Sequence, residues 1–299
     1  MKLLITGAYG MVGSRLKELI TDYKLLTPDK NELDITNQHK VWDYFCRNSI
    51  DYVVHLAGLV GGIQYNIKYP ANMLAANASM AINIINTCHY WKPKKLIFVG
   101  SCCMYPVKQG LITESDILTG PPEKTNEAYA IAKILGVKLC EYYNRQYEDP
   151  FISIIPCNVY GKVNNEPLEK NHAISAVMKK IHVAKKRDDK EIEIFGTGTP
   201  TREYIHRDDL CKAIIFLLDK YNDPEPINVG SGEFVTINYL TEMIMKVVGY
   251  KGKIIRDTSK DDGSPYKCID SSKIRSLGWY PKIGLEEGLK KAYADYIND

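Results

Sequence analysis

The sequence predicts an α/β protein whose core is a doubly wound parallel β-sheet. Three observations support this prediction: short apolar segments alternate with helical patterns along the first half of the chain, those segments are apolar on both faces, and a glycine-rich turn joins the first of them to a helix. Strands with two apolar faces and helices between them form parallel sheets that are covered on both sides. A glycine turn after the first strand is typical of nucleotide binding at the edge of such a sheet.

The predicted elements follow one another in a regular order. Strands are predicted at residues 2–6, 24–27, 52–56, 96–99 and 151–155. Helices are predicted at residues 11–23, 41–47, 70–90 and 126–147. In the first helix, Val12, Leu16, Leu19 and Ile20 recur at the spacing of one helical face, which is the pattern of a helix packed against a sheet.

The pattern weakens after residue 161. A basic helix is predicted at 173–184 and a strand at 192–195. The helix predicted at 208–220 and the strand predicted at 226–229 resemble one more unit that returns to the sheet. A last helix is predicted at 285–297.

A chain of 299 residues is about the length of two domains. We predict a nucleotide-binding Rossmann domain over residues 1–162, with a returning segment at about 206–232. A second, smaller α/β domain that binds the substrate is predicted from residues 163–205 and 233–299.

Composition excludes several classes of function. The chain has 39 basic and 36 acidic residues, a net charge of +3, which gives no reason to expect a nucleic-acid partner. No apolar run approaches the roughly 18 residues of a membrane span, and the first strand turns too early for a signal peptide. The eight cysteines show no metal-ligand spacing, so no metal is expected. We expect a cytoplasmic protein with no membrane partner.

The first motif with chemical content is the glycine turn that runs from Gly7 through Gly10 to Gly13. Gly7 allows a tight turn, Gly10 allows the backbone to approach a pyrophosphate, and Gly13 allows the helix to pack against the strand. The helix N-terminus then faces the phosphates. Glycines at this spacing also occur in ordinary turns, but here they lie between a predicted strand and a predicted helix, which indicates dinucleotide binding.

A second motif pairs Tyr129 with Lys133 on the predicted helix 126–147. Residues four apart lie on one face of a helix, so the phenol and the ammonium point the same way. A cation near a phenol lowers its pKa from about 10 toward neutrality, which makes an acid–base catalyst for interconverting an alcohol and a ketone. Ser101, at the end of the predicted strand 96–99, could bind the same substrate oxygen.

Several stretches resemble the extended short-chain dehydrogenase/reductases and, among them, the GDP-L-fucose synthase family. The tyrosine–lysine helix is general to the superfamily, whereas three stretches are more particular to that family. The stretches that carry the resemblance are residues 55–63 (HLAGLVGGI), 100–106 (GSCCMYP), 125–133 (TNEAYAIAK), 158–161 (NVYG) and 196–203 (GTGTPTRE). The resemblance runs nearly end to end and implies the Rossmann fold predicted above.

The resemblance also implies a second catalytic pair. Cys103 matches the position of the family's epimerisation base, and His172 matches its acid. A 4-ketone acidifies the protons on the neighbouring carbons C3 and C5, and thiol and imidazole groups can exchange such protons near neutral pH. A packed thiol at 103 and a surface histidine at 172 are the alternative interpretations.

The cofactor that the resemblance implies is NADP. A cation after the second strand binds the 2′-phosphate of NADP, and Lys30 matches a basic position of the family. Tyr9 stands where some relatives carry an arginine, and Asp29 adds a negative charge nearby. The residues expected to bind the cofactor are Gly7, Tyr9, Gly10, Met11, Val12, Lys30, Asp34, Leu56, Ala57, Gly58, Tyr129, Lys133, Pro156 and His172.

The implied substrate is a GDP-linked keto-sugar. Arg202 follows the glycine–threonine turn at 196–201, and arginine suits bidentate binding of phosphate. The residues expected to bind the substrate are Asn158, Lys180, Phe195, Arg202 and Lys267. For the two lysines, a solvated surface charge is the alternative interpretation.

The leading functional hypothesis is an NADPH-dependent 3,5-epimerase/4-reductase that makes GDP-L-fucose from GDP-4-keto-6-deoxy-D-mannose. A C4-reductase, with or without epimerisation, of another GDP-4-keto sugar such as a 6-deoxyheptose is the first alternative, because residues 162–166 (KVNNE) depart from the family's Pro-His-Asp-Asn-Phe. A non-catalytic nucleotide sensor on the same fold is the second. The helices predicted at 70–90 and 126–147 resemble the pair through which relatives dimerise, so a homodimer is expected.

Overall fold

The computed structural model of the protein describes residues 1–163, 173–260 and 262–298. In chain order its strands are β1 (Lys2–Thr6), β2 (Lys24–Leu26), β3 (Tyr52–His55), β4 (Lys95–Val99), β5 (Phe151–Pro156), β6 (Asn158–Tyr160), β7 (Glu191–Phe195), β8 (Thr201–His206), β9 (Ile227–Val229), β10 (Phe234–Thr236), β11 (Lys253–Asp257) and β12 (Tyr266–Lys267). The α-helices are α1 (Met11–Leu19), α2 (Gln38–Arg47), α3 (Ile63–Lys68), α4 (Pro70–Trp91), α5 (Glu127–Tyr147), α6 (Ala173–Arg187), α7 (Arg207–Lys220), α8 (Ile237–Val248), α9 (Ser272–Ser276) and α10 (Leu285–Asn298).

A six-stranded parallel sheet forms the centre of the described structure, in the order β2-β1-β3-β4-β5-β9. The predicted doubly wound α/β fold is therefore confirmed. The chain runs outward from β1 to β2, then crosses back to β3 and continues to β4, β5 and β9 on the other side. The direction changes between β1 and β3, and the carboxyl ends of parallel strands at such a switch point border a ligand-binding crevice.

Two groups of buried hydrophobic residues hold the described chain together. The first surrounds the central sheet and includes all of β4 except Lys95 and most of β5. The second lies farther along the chain, where α6, α8 and α10 pack together beside β7 and β8. The domain boundaries given above stay a prediction. Within the described residues, no helix is long and apolar enough to cross a membrane.

The second region contains strands that the sequence pattern did not predict. β6, β8, β10 and β12 form a four-stranded sheet, in which β8 pairs with the other three strands. β11 pairs with the predicted strand β7 in a separate two-stranded sheet. Most of these strands are only two to five residues long. β8 is longer, but it carries the buried Glu203 in place of an apolar residue, so the alternation that identifies a strand is absent.

Helix α5 packs very closely against β4 at Gly136. A Cβ atom at this position would lie 2.2 Å from Cζ of the buried Phe98 ring. The glycine therefore sets how near α5 approaches the sheet, and with it the position of every side chain that α5 presents at the sheet edge.

We predict that Gly136→Ala destabilises the protein. Overpacking costs about 1–3 kcal/mol, and the better helix propensity of alanine returns up to about 1 kcal/mol, so a net loss of about 1–2 kcal/mol is expected in urea denaturation. Gly284→Ala is the matched control, because a Cβ atom there would meet nothing within 4 Å. Equal stabilities for the two variants would contradict the close packing of α5.

Candidate active site

A single cleft of about 1280 Å³ runs along the carboxyl edge of the central sheet and on to the second region. Every predicted site residue that the structure describes lines it: Gly7, Tyr9, Gly10, Met11, Val12, Lys30, Asp34, Leu56, Ala57, Gly58, Ser101, Cys103, Tyr129, Lys133, Pro156, Asn158, Lys180, Phe195, Arg202 and Lys267. His172 and residues 164–166 of the predicted loop lie outside the described residues. The cleft therefore brings together side chains that are spread over most of the chain.

The glycine turn has the shape that a bound pyrophosphate needs. Gly7 has a φ of +71°, and a Cβ atom there would lie 2.7 Å from the backbone nitrogen of Ala57. A Cβ atom at Gly13 would lie 2.2 Å from the Gly7 oxygen, so any side chain would push α1 away from β1. Gly10 provides no side-chain cap for α1, which leaves the first N–H groups of the helix for an anion. The residues present therefore fit a dinucleotide.

Two charged residues, Asp29 and Lys30, line the cleft after β2, where the ribose of a dinucleotide would lie. Lys30 is exposed at the cleft, while the neighbouring Asp29 accepts hydrogen bonds from the backbone N–H groups of Asn31 at 2.8 Å and Glu32 at 2.9 Å. The carboxylate of Asp29 is thus turned into its own loop. Tyr9 is 65% exposed, and a second lysine, Lys17, lies over its ring at 4.1 Å from the centroid.

A short 3₁₀ turn, Cys102–Met104, follows β4; it carries the predicted Cys103, and the predicted Ser101 directly precedes it. The Ser101 oxygen accepts a hydrogen bond from the N–H of Cys103 at 3.2 Å, which caps this turn. The Ser101 hydroxyl still has its own proton to donate. The cap therefore places Ser101 and Cys103 side by side at the end of β4, with Cys102 buried behind them.

Helix α5 brings Tyr129 and Lys133 to the same place. Lys133 is buried and donates to the carbonyl oxygen of Val99 at 2.8 Å, and its ammonium lies 5.8 Å from the centroid of the Tyr129 ring and 5.0 Å from that of Phe98. Burial lowers the pKa of Lys133 to about 8.

The expectation that Lys133 lowers the pKa of Tyr129 is wrong for the described structure. Burial raises the pKa of Tyr129, Cys103 and Cys102 act in the same direction, and a hydrogen bond from Ser101 opposes them. The lysine faces the ring and the Val99 carbonyl, and it makes no hydrogen bond to the phenol oxygen among those described. Tyr129 therefore keeps its proton at neutral pH, which is the state that a proton donor requires.

The substrate side of the cleft is built on the four-stranded sheet. In the register of this sheet, Lys267 lies beside Arg202, and Asn158 lies beside Tyr204. Arg202 donates to the backbone oxygens of Thr201 and Asp262 at 2.9 and 3.1 Å. The Asn158 amide donates to the backbone oxygen of Glu203 at 2.8 Å. This sheet thus presents two cations and an amide to one stretch of the cleft.

Lys180 and Phe195 form a separate pair farther along. The Lys180 ammonium lies 4.1 Å from the centroid of the Phe195 ring, and the ring is 47% exposed. An exposed aromatic face with a cation above it suits stacking with a flat, electron-rich base.

Sequence analysis missed three polar residues that line the cleft near Tyr129. The Asn66 amide donates to Asn126 at 2.6 Å, and Asn126 donates to Glu123 at 2.9 Å. Asn126 lies in the stretch 125–133 that carried the resemblance, so that motif was the available signal. Asn66 and Glu123 had no signal in the pattern.

A buried asparagine that sequence analysis also missed holds the loop after β3. Asn77 on α4 accepts a hydrogen bond from the N–H of Leu59 at 2.9 Å and donates to the Leu59 oxygen at 3.0 Å. It therefore fixes the segment that contains Ala57 and Gly58, against which the glycine turn packs. At the end of β3, His55 is bonded to Thr6 at 2.8 Å, and burial, with Lys133, lowers its pKa to about 3, so it stays neutral.

A nucleotide groove that runs up to a tyrosine and a lysine on one helix defines a Rossmann-fold oxidoreductase of the short-chain dehydrogenase/reductase class. The second region after the sheet is typical of the extended form of that class. Residues 3–230 match the NAD dependent epimerase/dehydratase family. The chain belongs to that family.

Individual relatives cover the whole chain. A protein of Arabidopsis thaliana named putative GDP-L-fucose synthase 2 is 43% identical over an alignment of 302 positions, which covers 100% of this chain and 92% of that protein. The GDP-L-fucose synthase of Escherichia coli K12 is 39% identical over 312 residues, 100% of this chain and 97% of that protein. Among solved structures, a GDP-mannoheptose C4 reductase from Campylobacter jejuni with NADP bound is 32% identical with a TM-score of 0.88, and the match covers 99% of this chain and 98% of the other.

The buried lysine gives a prediction for the pH dependence of stability. Unfolding returns the pKa of Lys133 from about 8 toward its ordinary value of about 10.4, so the unfolded chain binds more protons between these values and stability rises with pH there. Between about pH 7.5 and 10, the free energy of unfolding of the parent protein should rise by about 2 kcal/mol relative to Lys133→Met.

Urea denaturation at the two pH values measures this difference, in which the tyrosines and cysteines common to both proteins cancel. Lys138→Met is the matched control on the same helix, because Lys138 is partly exposed and pairs with Glu141 at 2.8 Å. If Lys133→Met follows the same pH curve as Lys138→Met, burial of the Lys133 charge is not a cost to the fold.

Proposed function

We propose that this protein is an NADPH-dependent 3,5-epimerase/4-reductase that converts GDP-4-keto-6-deoxy-D-mannose to GDP-L-fucose. One observation carries the proposal: the cleft contains a thiol, Cys103, beside the serine, tyrosine and lysine of a reductase. Reduction of a ketone needs only the last three groups. A further acid–base group at the same place is what epimerisation of the neighbouring carbons requires.

The cofactor is NADPH, which when bound supplies the hydride that reduces C4. The turn of Gly7 and Gly10 and the N-terminus of α1 would hold the pyrophosphate, and Lys30 would bind the 2′-phosphate. One carboxylate oxygen of the neighbouring Asp29 is turned into its own loop, where it accepts hydrogen bonds from the N–H groups of Asn31 and Glu32. Tyr129 and Lys133 border the part of the cleft between this groove and the substrate side.

Epimerisation uses the acidity that the 4-ketone gives to C3 and C5. Cys103 as thiolate removes the proton from carbon, and the electron pair of the broken C–H bond forms the double bond of an enolate whose oxygen takes the charge. Return of a proton on the opposite face inverts the centre. His172 is proposed as the acid that supplies that proton, and its position lies outside the described residues.

Reduction then uses Tyr129 as the proton donor. Its half-buried phenol keeps its proton at neutral pH, and the C4 oxygen takes that proton as it becomes a hydroxyl. Ser101 donates its hydroxyl proton to the same oxygen in a hydrogen bond, while its own oxygen accepts from the Cys103 N–H. Lys133 makes no described hydrogen bond to the phenol oxygen, and its bond to the Val99 carbonyl keeps the Tyr129 helix in place at the end of β4.

The GDP part of the substrate would lie along the second region. Arg202 and Lys267 are adjacent cations in the sheet register and suit a diphosphate, whereas Phe195 with Lys180 suits the guanine. Asn158 would contact the sugar or the diphosphate.

A second candidate function is C4 reduction of another GDP-4-keto sugar. The Campylobacter jejuni GDP-mannoheptose C4 reductase, similar over 99% of this chain, favours it, as do residues 162–166, which differ from the family's loop. The two functions differ in whether protons on C3 and C5 are exchanged.

The test is to supply NADPH and GDP-4-keto-6-deoxy-D-mannose in D₂O and to identify the product by NMR. The proposed function gives GDP-L-fucose with deuterium at C3 and C5, beyond the exchange seen without enzyme. A product that is reduced at C4 and unlabelled at both positions would overturn epimerisation and favour the second candidate.

Two variants separate the reduction of C4 from the exchange of the protons on C3 and C5. We predict that Tyr129→Phe lowers reduction by about 100-fold or more but still exchanges substrate protons, since it loses only the proton donor for C4. Cys103→Ser should lower exchange by a similar factor and keep some reduction of the unepimerised ketone. Deuterium incorporation and NADPH oxidation, followed in the same samples, measure both steps. GDP-L-fucose formation by Cys103→Ser at the parent rate would exclude Cys103 as the base.

We also infer that the protein is a homodimer formed through α4 and α5. These helices pack side by side, and α5 exposes Ile131 and Tyr142 on one face, at 43% and 50% of their surface. Light scattering after size-exclusion chromatography should give about twice 33.9 kDa. Tyr142→Glu should lower this mass toward one chain, whereas Tyr280→Glu, a 59% exposed tyrosine elsewhere, should not. A parent mass of 33.9 kDa would exclude the dimer.

A further inference from the structure

We propose that Lys267 is a positioning residue for Cys103: its ammonium group forms an ion pair with the cysteine and holds it as the thiolate before any substrate enters. The catalytic use of that thiolate rests on the proposed function, whereas the ion pair itself does not. The role differs from the phosphate binding expected of Lys267 from the sequence.

The contact between the two residues is direct. Lys267 Nζ lies 3.7 Å from Cys103 Sγ, and the residues are 164 positions apart in the chain. Of the eight cysteines, Cys103 is neither buried nor fully exposed, while Cys46 is exposed and the others are buried. A thiol that faces a cleft beside a cation is the environment of a reactive cysteine.

The backbone around both residues is held firmly. Lys267 lies on β12, paired in parallel with β8, and the next residues are tied to the loop after the cysteine turn, because the Ile112 N–H donates to the Cys268 oxygen at 3.0 Å. Glu203 accepts from the Ile269 N–H at 3.0 Å. Ser101 caps the turn on the other side. The distance between ammonium and sulfur is therefore set by the fold.

Other titratable groups around the pair come from four elements. Cys102 neighbours Cys103 in its own turn, Tyr129 faces it from α5, Arg202 adds a second cation from β8, and Glu123 adds one carboxylate from the turn before α5. Burial lowers the pKa of Lys267, but Cys103, Cys102 and Glu123 outweigh burial and Arg202, so the net direction is upward. The lysine thus keeps its charge in spite of its burial.

The consequence is a larger supply of base at neutral pH. An ordinary thiol has a pKa of about 8.5 and is only a few per cent thiolate at pH 7. A cation within about 4–6 Å shifts such an equilibrium by roughly one unit or more, which increases the thiolate fraction about tenfold.

Alkylation by iodoacetamide tests the pair without substrate or cofactor. The probe is neutral, so a lysine does not attract it, and its rate follows the thiolate fraction. The experiment uses Cys46→Ser as background, locates the label on Cys103 by peptide mass spectrometry, and follows the rate from about pH 5 to 10. Lys267→Met and Lys267→Arg are compared with Lys180→Met, which removes a charge from the same cleft away from Cys103.

In Lys267→Met the rate at pH 7 should fall about tenfold, and the midpoint of its pH profile should rise by about one unit or more. Lys267→Arg should restore most of the rate, and Lys180→Met should leave the profile unchanged. If Lys267→Met keeps the parent profile while its KM for the GDP-sugar rises, Lys267 binds phosphate only and the inference is overturned. A second measurement needs no lysine variant: the thiolate absorbance near 240 nm is followed with pH in the parent and in Cys103→Ser, and the difference reports Cys103. A midpoint of that difference at or above about pH 8.5 would also overturn the inference.

These results separate the inference from the proposed function. Alkylation that depends on Lys267, in a protein that forms no GDP-L-fucose, leaves the ion pair standing and removes the proposed function. Formation of GDP-L-fucose, together with an alkylation profile that does not change in Lys267→Met, would support the proposed function and exclude the ion pair.

Discussion

The hydrogen bond from Lys133 to the Val99 carbonyl connects the two parts on which the site depends. It ties α5 to the end of β4, so that Tyr129 on the helix and Ser101 and Cys103 on the turn after the strand keep a fixed relation. The bond is buried, and a buried ammonium left without its acceptor would cost far more than an exposed one. The closeness of Gly136 to β4 makes this connection short enough. Packing of α5 therefore comes first, and the chemistry of the cleft follows from it.

Tyr129 and Cys103 lie close together at this edge of the sheet but differ in the protonation state that their surroundings favour. The Tyr129 phenol keeps its proton because burial raises its pKa, whereas the Cys103 thiol would give its proton up in the proposed ion pair with Lys267, and both face one cleft. Such a separation of protonation states is what a sequence of proton removal, proton return and hydride reduction requires of one site. Lys133 and Lys267, both largely enclosed, serve different partners: the first lies against Tyr129 and the second against Cys103.

Sequence reasoning recovered the central sheet because its strands are continuously apolar; β1 has the predicted bounds, and the other strands are within one or two residues. α1 ends at Leu19 instead of residue 23, where Ile20 turns to an extended conformation. The strands of the second region were missed because they are short or, like β8, carry a buried carboxylate. The structure places all the predicted site residues that it describes in one cleft. The contact of Lys267 with Cys103 and the hydrogen bonds of Asn77 to Leu59 depend on tertiary structure, which no local sequence pattern indicates.

The position of β12 near the end of the chain bears on how the protein is made. During synthesis, Cys103 is translated long before Lys267, and it meets the ammonium only after the final strand has paired with β8. The proposed ion pair would therefore be a property of the finished fold alone, and before β12 pairs the Cys103 sulfur would react as an ordinary thiol.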